Sequence, residues 1–161
     1  MSRTHSYKAL VEWTGNEGQG TRAYAAYRRD HVISIAGKSA DIAGSSDPSF
    51  RGDTTRYNPE ELLVSSLSAC HMLWYLGLCA GAGVVVTAYA DSAEGVMEEE
   101  AGGAGQFTCV VLRPHVTLTS DSDVDKARAL HADAHAKCFI ARSVNFPVLC
   151  EPVFSADDDA R

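Results

Sequence analysis

Two of the five cysteines, Cys70 and Cys138, stand where a thiol could do chemistry. Cys70 closes the apolar segment "NPEELLVSSLSAC", and Cys138 follows the helical stretch "LHADAHAK" in the second half of the chain. A thiolate is the nucleophilic form of cysteine, and burial alone raises the thiol pKa and makes it inert. A working Cys70 therefore needs a cation or a hydrogen-bond donor beside it. The alternative for either residue is a small apolar side chain in a core. Cys79, Cys109 and Cys150 are read that way, as core packing without a role.

Charged candidates flank the first cysteine. Arg51 and Arg56 precede its helix, and Arg22 follows the first turn of the chain. A guanidinium stays charged and could stabilise a thiolate or polarise a peroxide oxygen. The other reading of each is a solvated loop charge. Glu60 lies ten residues before Cys70, about 15 Å along a helix axis. It cannot touch its own Cys70, but it could reach the Cys70 site of a second copy if two such helices pack antiparallel. Locally, a role at the helix N-terminus explains Glu60 as well. His131, His135 and Cys138 form an HxxxHxxC pattern on one helical face, where a metal is conceivable. No second cluster completes it unless Cys70 joins, so neither metal nor cofactor is expected. His71 points about 100° away from Cys70 on an ideal helix.

The elements that must hold these residues follow from the pattern. Asn58 is a good N-cap, Pro59 suits the first helical position, and Glu61 stands three residues after the cap. The helix should run to about Gly81, with apolar residues on more than one face, as in a helix buried on most sides. A second helix should begin near Asp121 to Asp123 and carry Val124, Ala127, Leu130, Ala134 and Cys138. Two such helices in a small domain must cross, which could bring Cys70 to Cys138. Strands are expected at "YKALVEW", "TRAYAAYRR" and "HVISIAG" as an N-terminal meander, with a loop over 44–57. Further strands are expected over 84–97 and 106–119, with Pro114 marking an edge or a bulge, and a last short one at "NFPVLCEPVF". The tail "SADDDAR" should be disordered. The order implies one α+β domain over 1–161, ordered from about 7 to 154.

Composition narrows the function classes. Of 161 residues, 45% are hydrophobic and 22% charged, and the net charge is -7. An acidic chain without a basic stripe argues against nucleic acid and anionic membranes as partners. No secretory h-region opens the chain, and the apolar stretch over 62–80 is interrupted by Ser65, Ser66, Ser68 and His71. A cytoplasmic location is the expectation. An odd cysteine count without CxxC argues against a disulfide framework or a zinc ribbon.

With these residues assembled, the sequence resembles the OsmC/Ohr family of thiol-dependent peroxidases. "NPEELLVSSLSAC" matches the family's first-cysteine motif, and "AHAKCFIARSVNFPV" matches its second, over an element order spanning about 7–154. Where the family usually places an aromatic after the first cysteine this chain has His71, and "CFIARS" stands where many members have a proline after the second. The resemblance implies antiparallel sheets around two long central helices in an intertwined homodimer. It also implies a peroxidatic Cys70, a resolving Cys138 and a Glu60 that orients an arginine, with Arg51 favoured over Arg22. Leu67, Trp74 and Phe139 would wall an apolar pocket for an alkyl hydroperoxide, and an external dithiol would reduce the Cys70–Cys138 disulfide. The rival expectation is a non-enzymatic module binding a small hydrophobic ligand in the same pocket.

Overall fold

Helix α1 (Pro59–Ala82) begins with a reciprocal cap. The Glu61 N–H donates to Asn58 Oδ1 at 2.8 Å, and the Asn58 N–H donates to Glu61 Oε2 at 3.1 Å. Two otherwise unpaired donors are satisfied at once, as the spacing predicts. The helix stops where Gly83 takes a left-handed φ of 74°. The computed structural model describes residues 3–157, in two compact units, Met1–Leu63 and Val64–Arg161.

In the first unit, β1 (Leu10–Trp13), β2 (His31–Ser34) and β3 (Ile42–Gly44) form an antiparallel sheet in that order. The expected strand at "TRAYAAYRR" does not form; a series of turns takes its place. Side chains there claim the groups a ladder would use. Asn16 Oδ1 accepts from the N–H of Gly18 and of Gly20, and the Arg29 guanidinium donates to the carbonyls of Tyr24 and Tyr27 while lying over both rings. β3 is too short to announce itself in the sequence; only its last residue, Gly44, falls in the loop expected over 44–57.

The rest of that loop is closely tied. A 3₁₀ turn over Pro48–Phe50 is capped by Asp47, which accepts the Ser49 N–H at 2.7 Å. Gly52 is required next to it, because a Cβ there would lie 1.6 Å from the Ser46 carbonyl oxygen. Buried Asp30 is paired with Arg28 at 2.8 Å and with Arg56 at 3.7 Å, and Ser45 Oγ donates to it.

In the second unit, β4 (Val86–Asp91), β7 (Pro114–Thr119) and β9 (Val153–Asp157) form one sheet. β5 (Glu94–Glu99), β6 (Gly105–Leu112) and β8 (Val148–Cys150) form another. The single strands expected over 84–97 and 106–119 are each two. Pro114 does not bulge one strand; it begins β7, a position where its missing N–H is tolerated. Both sheets are mixed rather than antiparallel: β6 pairs parallel with β8, and β7 parallel with β9. α2 (Val124–Lys137) supplies the crossover that parallel pairing needs. Its N-cap is Asp123, which accepts the Lys126 N–H at 3.0 Å. At 14 residues it is shorter than the long second helix expected. Residues 155–157, expected as disordered tail, belong to β9; the rest of the tail lies outside the described residues.

The core of this unit gathers Tyr75, Cys79, Val84, Val116, Leu118, Ala127 and Ala134. α1 approaches β5 and β6 where Gly95 leaves room, since a Cβ there would lie 2.7 Å from both Phe107 Cε1 and Val64 Cγ2. Gly95→Val should overpack this contact and cost about 1–3 kcal/mol, read as a lower urea midpoint; an unchanged midpoint would refute the close approach. By length and mean hydropathy α1 could cross a membrane, against the sequence reading, although the core helix of a soluble protein meets the same test.

Candidate active site

The inward stripe of α1 is Leu67, His71, Tyr75 and Cys79, one residue every four. That spacing keeps one face of the helix against the core. Cys70 lies beside the stripe and is half-buried. Cys138 ends α2 as its C-cap, with φ -67° and ψ 109°, so it is extended and not helical as expected. The "CFIARS" segment turns out of the helix here. The Arg142 N–H reaches the Cys138 carbonyl at 3.0 Å, and the Ala141 N–H points at Cys138 Sγ at 3.4 Å. The turn buries the thiol and leaves His135 exposed. His131, His135 and Cys138 therefore do not share one face, and the HxxxHxxC pattern gathers no ligand set.

The Cys70 and Cys138 thiols are both free, and the Cys70 thiol lies near enough to act on that of Cys138. Burial pushes the Cys138 thiol up to about 11; the Ala141 amide opposes this and the Cys70 thiol adds to it. Cys70 opens onto a cavity of about 480 Å³ lined by Ser66, Ala69, Leu73, Trp74 and Phe139. Trp74 and Phe139 meet edge to face with centroids 5.7 Å apart. Leu67 does not line this space; it is fully buried in the core.

The charged candidates lie in the first unit. Arg51 is exposed at the end of the 3₁₀ turn with φ 64°, the left-handed region; among the described residues no other non-glycine has positive φ. A left-handed L-residue costs about 1–2 kcal/mol, and such strain often marks a functional position. Arg22 is exposed in the turns after Asn16. Glu60, in the first turn of α1, is half-buried, and its carboxylate has no hydrogen-bond or ion-pair partner among the described residues.

The model for OsmC-like protein matches residues 52–152, which hold both cysteine motifs. The chain belongs to the OsmC-like family. An OsmC-like protein of unknown function from Vibrio cholerae is 31% identical, with 93% of this chain and 100% of that one covered and a TM-score of 0.83. Two more distant structures share the fold. An organic hydroperoxide resistance protein OsmC from Legionella pneumophila is 14% identical over 96% of this chain and 99% of that one, with a TM-score of 0.68. An organic hydroperoxide resistance protein from Vibrio cholerae, with captopril in one of its active sites, is 21% identical over 96% and 94%, with a TM-score of 0.66. No curated protein matches the chain.

This OsmC-like chain also contains a cluster that its sequence did not announce. His71, on the inward stripe of α1, meets His131 of α2 with Nε2 and Nδ1 2.9 Å apart. Cys150, at the end of β8, places Sγ 3.7 Å from His71 Nε2 and 3.6 Å from His131 Nδ1. Tyr75 stacks on His131 at 3.9 Å between centroids. Burial holds both imidazoles below the usual histidine range, His131 down to about 4, and pushes the Cys150 thiol up to about 12. The only sequence signal for the group was the four-residue spacing that puts His71 among core residues; nothing local tied it to Cys150.

Proposed function

We propose that this OsmC-like protein is a cysteine peroxidase that reduces organic hydroperoxides or hydrogen peroxide in oxidative-stress defence. The observation that carries the reading is that Cys70 lines an apolar cavity and lies near enough to Cys138 to act on its thiol. The Cys70 thiolate attacks the terminal peroxide oxygen, the O–O bond breaks, and the leaving oxygen takes a proton and departs as alcohol or water. Cys70 is left as a sulfenic acid. The Cys138 thiol condenses with it, water leaves, and a Cys70–Cys138 disulfide remains. An external dithiol returns both sulfurs to thiols by exchange. Trp74 and Phe139 offer the apolar wall that an alkyl group would prefer to water. Two relatives of the same fold bear hydroperoxide-resistance names, which agrees with this chemistry.

In this reading the guanidinium that stabilises the thiolate is that of Arg51, held by Glu60, and the site is completed in a cytoplasmic homodimer. The exposure of α1 supports the dimer. The helix is apolar around most of its circumference, yet Leu73 is 66% exposed and Phe139, facing the same cavity, 67%. Such surface is usually covered by a partner. Sedimentation equilibrium should return twice the chain mass of 17.2 kDa. A lone chain at micromolar concentration would remove the shared site.

The role of Arg51 can be separated from its strain. Arg51→Gly relieves the left-handed backbone, so the variant should be as stable as the parent or up to about 1 kcal/mol more stable. Its kcat/KM for cumene hydroperoxide should fall by about 10²-fold, as when a charge-stabilising donor is lost. Unchanged kcat/KM would pass the role to Arg22. The reading as a whole is tested by dithiothreitol-dependent consumption of cumene hydroperoxide: turnover supports it, and no consumption above the reductant's own rate overturns it.

A further inference from the structure

Outside the thiol pair, the described residues contain one place where three metal-ligating side chains converge, at His71, His131 and Cys150. They come from three different elements, α1, α2 and β8, so the packing of the second unit alone brings them together. The two histidines are 1% and 5% exposed, and Cys150 is half-buried, which leaves an approach from its side. Ala127 and Ala134 share the buried face of α2 with His131.

The donor separations suit an ion. Zinc bound at about 2.0–2.1 Å to nitrogen and about 2.3 Å to sulfur in a tetrahedron sets nitrogen–sulfur edges of about 3.6 Å and a nitrogen–nitrogen edge of about 3.3 Å. The two sulfur edges here, 3.6 and 3.7 Å, already match. The nitrogen edge, 2.9 Å, is held short because one imidazole N–H now donates to the other ring. The ring planes are 4° apart, so this hydrogen bond is nearly coplanar, and the rings must turn and part by about 0.4 Å to receive an ion at those bond lengths. The outward nitrogens, His71 Nδ1 and His131 Nε2, have no partner among the described residues. Nothing therefore pins either ring to one tautomer.

We propose that His71, His131 and Cys150 form a binding site for one thiophilic transition-metal ion of the zinc class. Two imidazoles and one thiolate are the donor set such borderline-soft ions favour over magnesium or calcium. On binding, the ion takes a lone pair from His71 Nε2, one from His131 Nδ1 and one from Cys150 Sγ. The thiol proton leaves to solvent, and the ring proton shared between the imidazoles moves to the outward nitrogen of its own ring. No electron is transferred. Three protein donors leave a fourth position for water or another small ligand, as in open zinc sites. The site uses neither Cys70 nor Cys138 and stands apart from the peroxidase reading.

The test uses full-length protein carrying Cys70→Ser and Cys138→Ser, reduced and stripped of metal, titrated with cobalt(II) and then zinc(II). One cobalt per chain should bind with a thiolate-to-cobalt charge-transfer band in the near ultraviolet. One zinc should displace it, with release of about one proton per ion. Adding Cys150→Ser should remove the band and weaken zinc binding by at least about 10²-fold, more than loss of an outer-shell partner costs. His131→Gln should weaken binding while keeping a thiolate band at high cobalt, with far-ultraviolet circular dichroism confirming the fold. Absence of a charge-transfer band, or a band that survives Cys150→Ser, overturns the site. Peroxide consumption by the parent chain is measured separately, so either reading can fail without the other.

Discussion

Cys70→Ser abolishes peroxide consumption, lowering kcat/KM by on the order of 10³-fold or more, because a serine hydroxyl is not ionised at neutral pH and cannot attack the O–O bond. The fold should survive: Cys70 is half-buried beside the core stripe and not in it, and the substitution is nearly isosteric. Cys138→Ser behaves differently. Its Cys70 still attacks once, so a single equivalent of peroxide is consumed and the sulfenic acid persists until an external thiol reaches it. Trapping with a sulfenic-acid reagent should label Cys70 in Cys138→Ser and nothing in Cys70→Ser. If the two variants lose activity alike at the first turnover, the attacking and resolving roles are not divided as proposed.

Alkylation of Cys138 by iodoacetamide is slower at pH 8 than that of a free thiol by on the order of 10²-fold. Burial lifts this thiol from 9.0 to about 11, so only about one in 10³ is thiolate at that pH. Peptide mapping of a labelling time course reads the rate. The same shift has a thermodynamic consequence. Between pH 9 and 11 the unfolded thiol gives up its proton while the native one keeps it, so the native state binds more protons and stability falls as pH rises. The loss is about 3 kcal/mol when complete. The contribution of this thiol to stability is full below pH 9 and is gone above 11. Rapid labelling of Cys138 at pH 8 would mean the thiol is open to solvent and suited to attack peroxide itself.

Which parts of this were legible in the sequence follows from how local their causes are. Asn58, Pro59 and Glu61 specify the start of α1 within four residues, and Asp123 does the same for α2. The nearness of Cys70 and Cys138 was expected from the family motifs and from two long buried helices that must cross, although Cys138 stands just past a shorter α2. The "TRAYAAYRR" segment misled because alternation of Tyr and Ala looks like a strand, while Arg29 and Asn16 close it into turns through contacts no period reveals. Pro114 and the last strands were misread for a related reason. Whether a proline begins a new strand or bulges one depends on which sheet the next residues join, and parallel pairing of β8 and β9 is a long-range choice. Leu67 was expected in the pocket wall, but it belongs to the inward stripe with His71, Tyr75 and Cys79 and is buried in the core. The His71–His131–Cys150 group was invisible because its members come from three elements whose meeting is set by packing alone.

The most direct measurement is non-reducing peptide mass spectrometry of the reduced protein after one equivalent of cumene hydroperoxide. Loss of the two free thiols and appearance of one peptide pair linked through Cys70 and Cys138, reversed by dithiothreitol, is the predicted result. Peroxide left unconsumed with both thiols intact, or a disulfide that joins Cys70 to any other cysteine, would contradict the account.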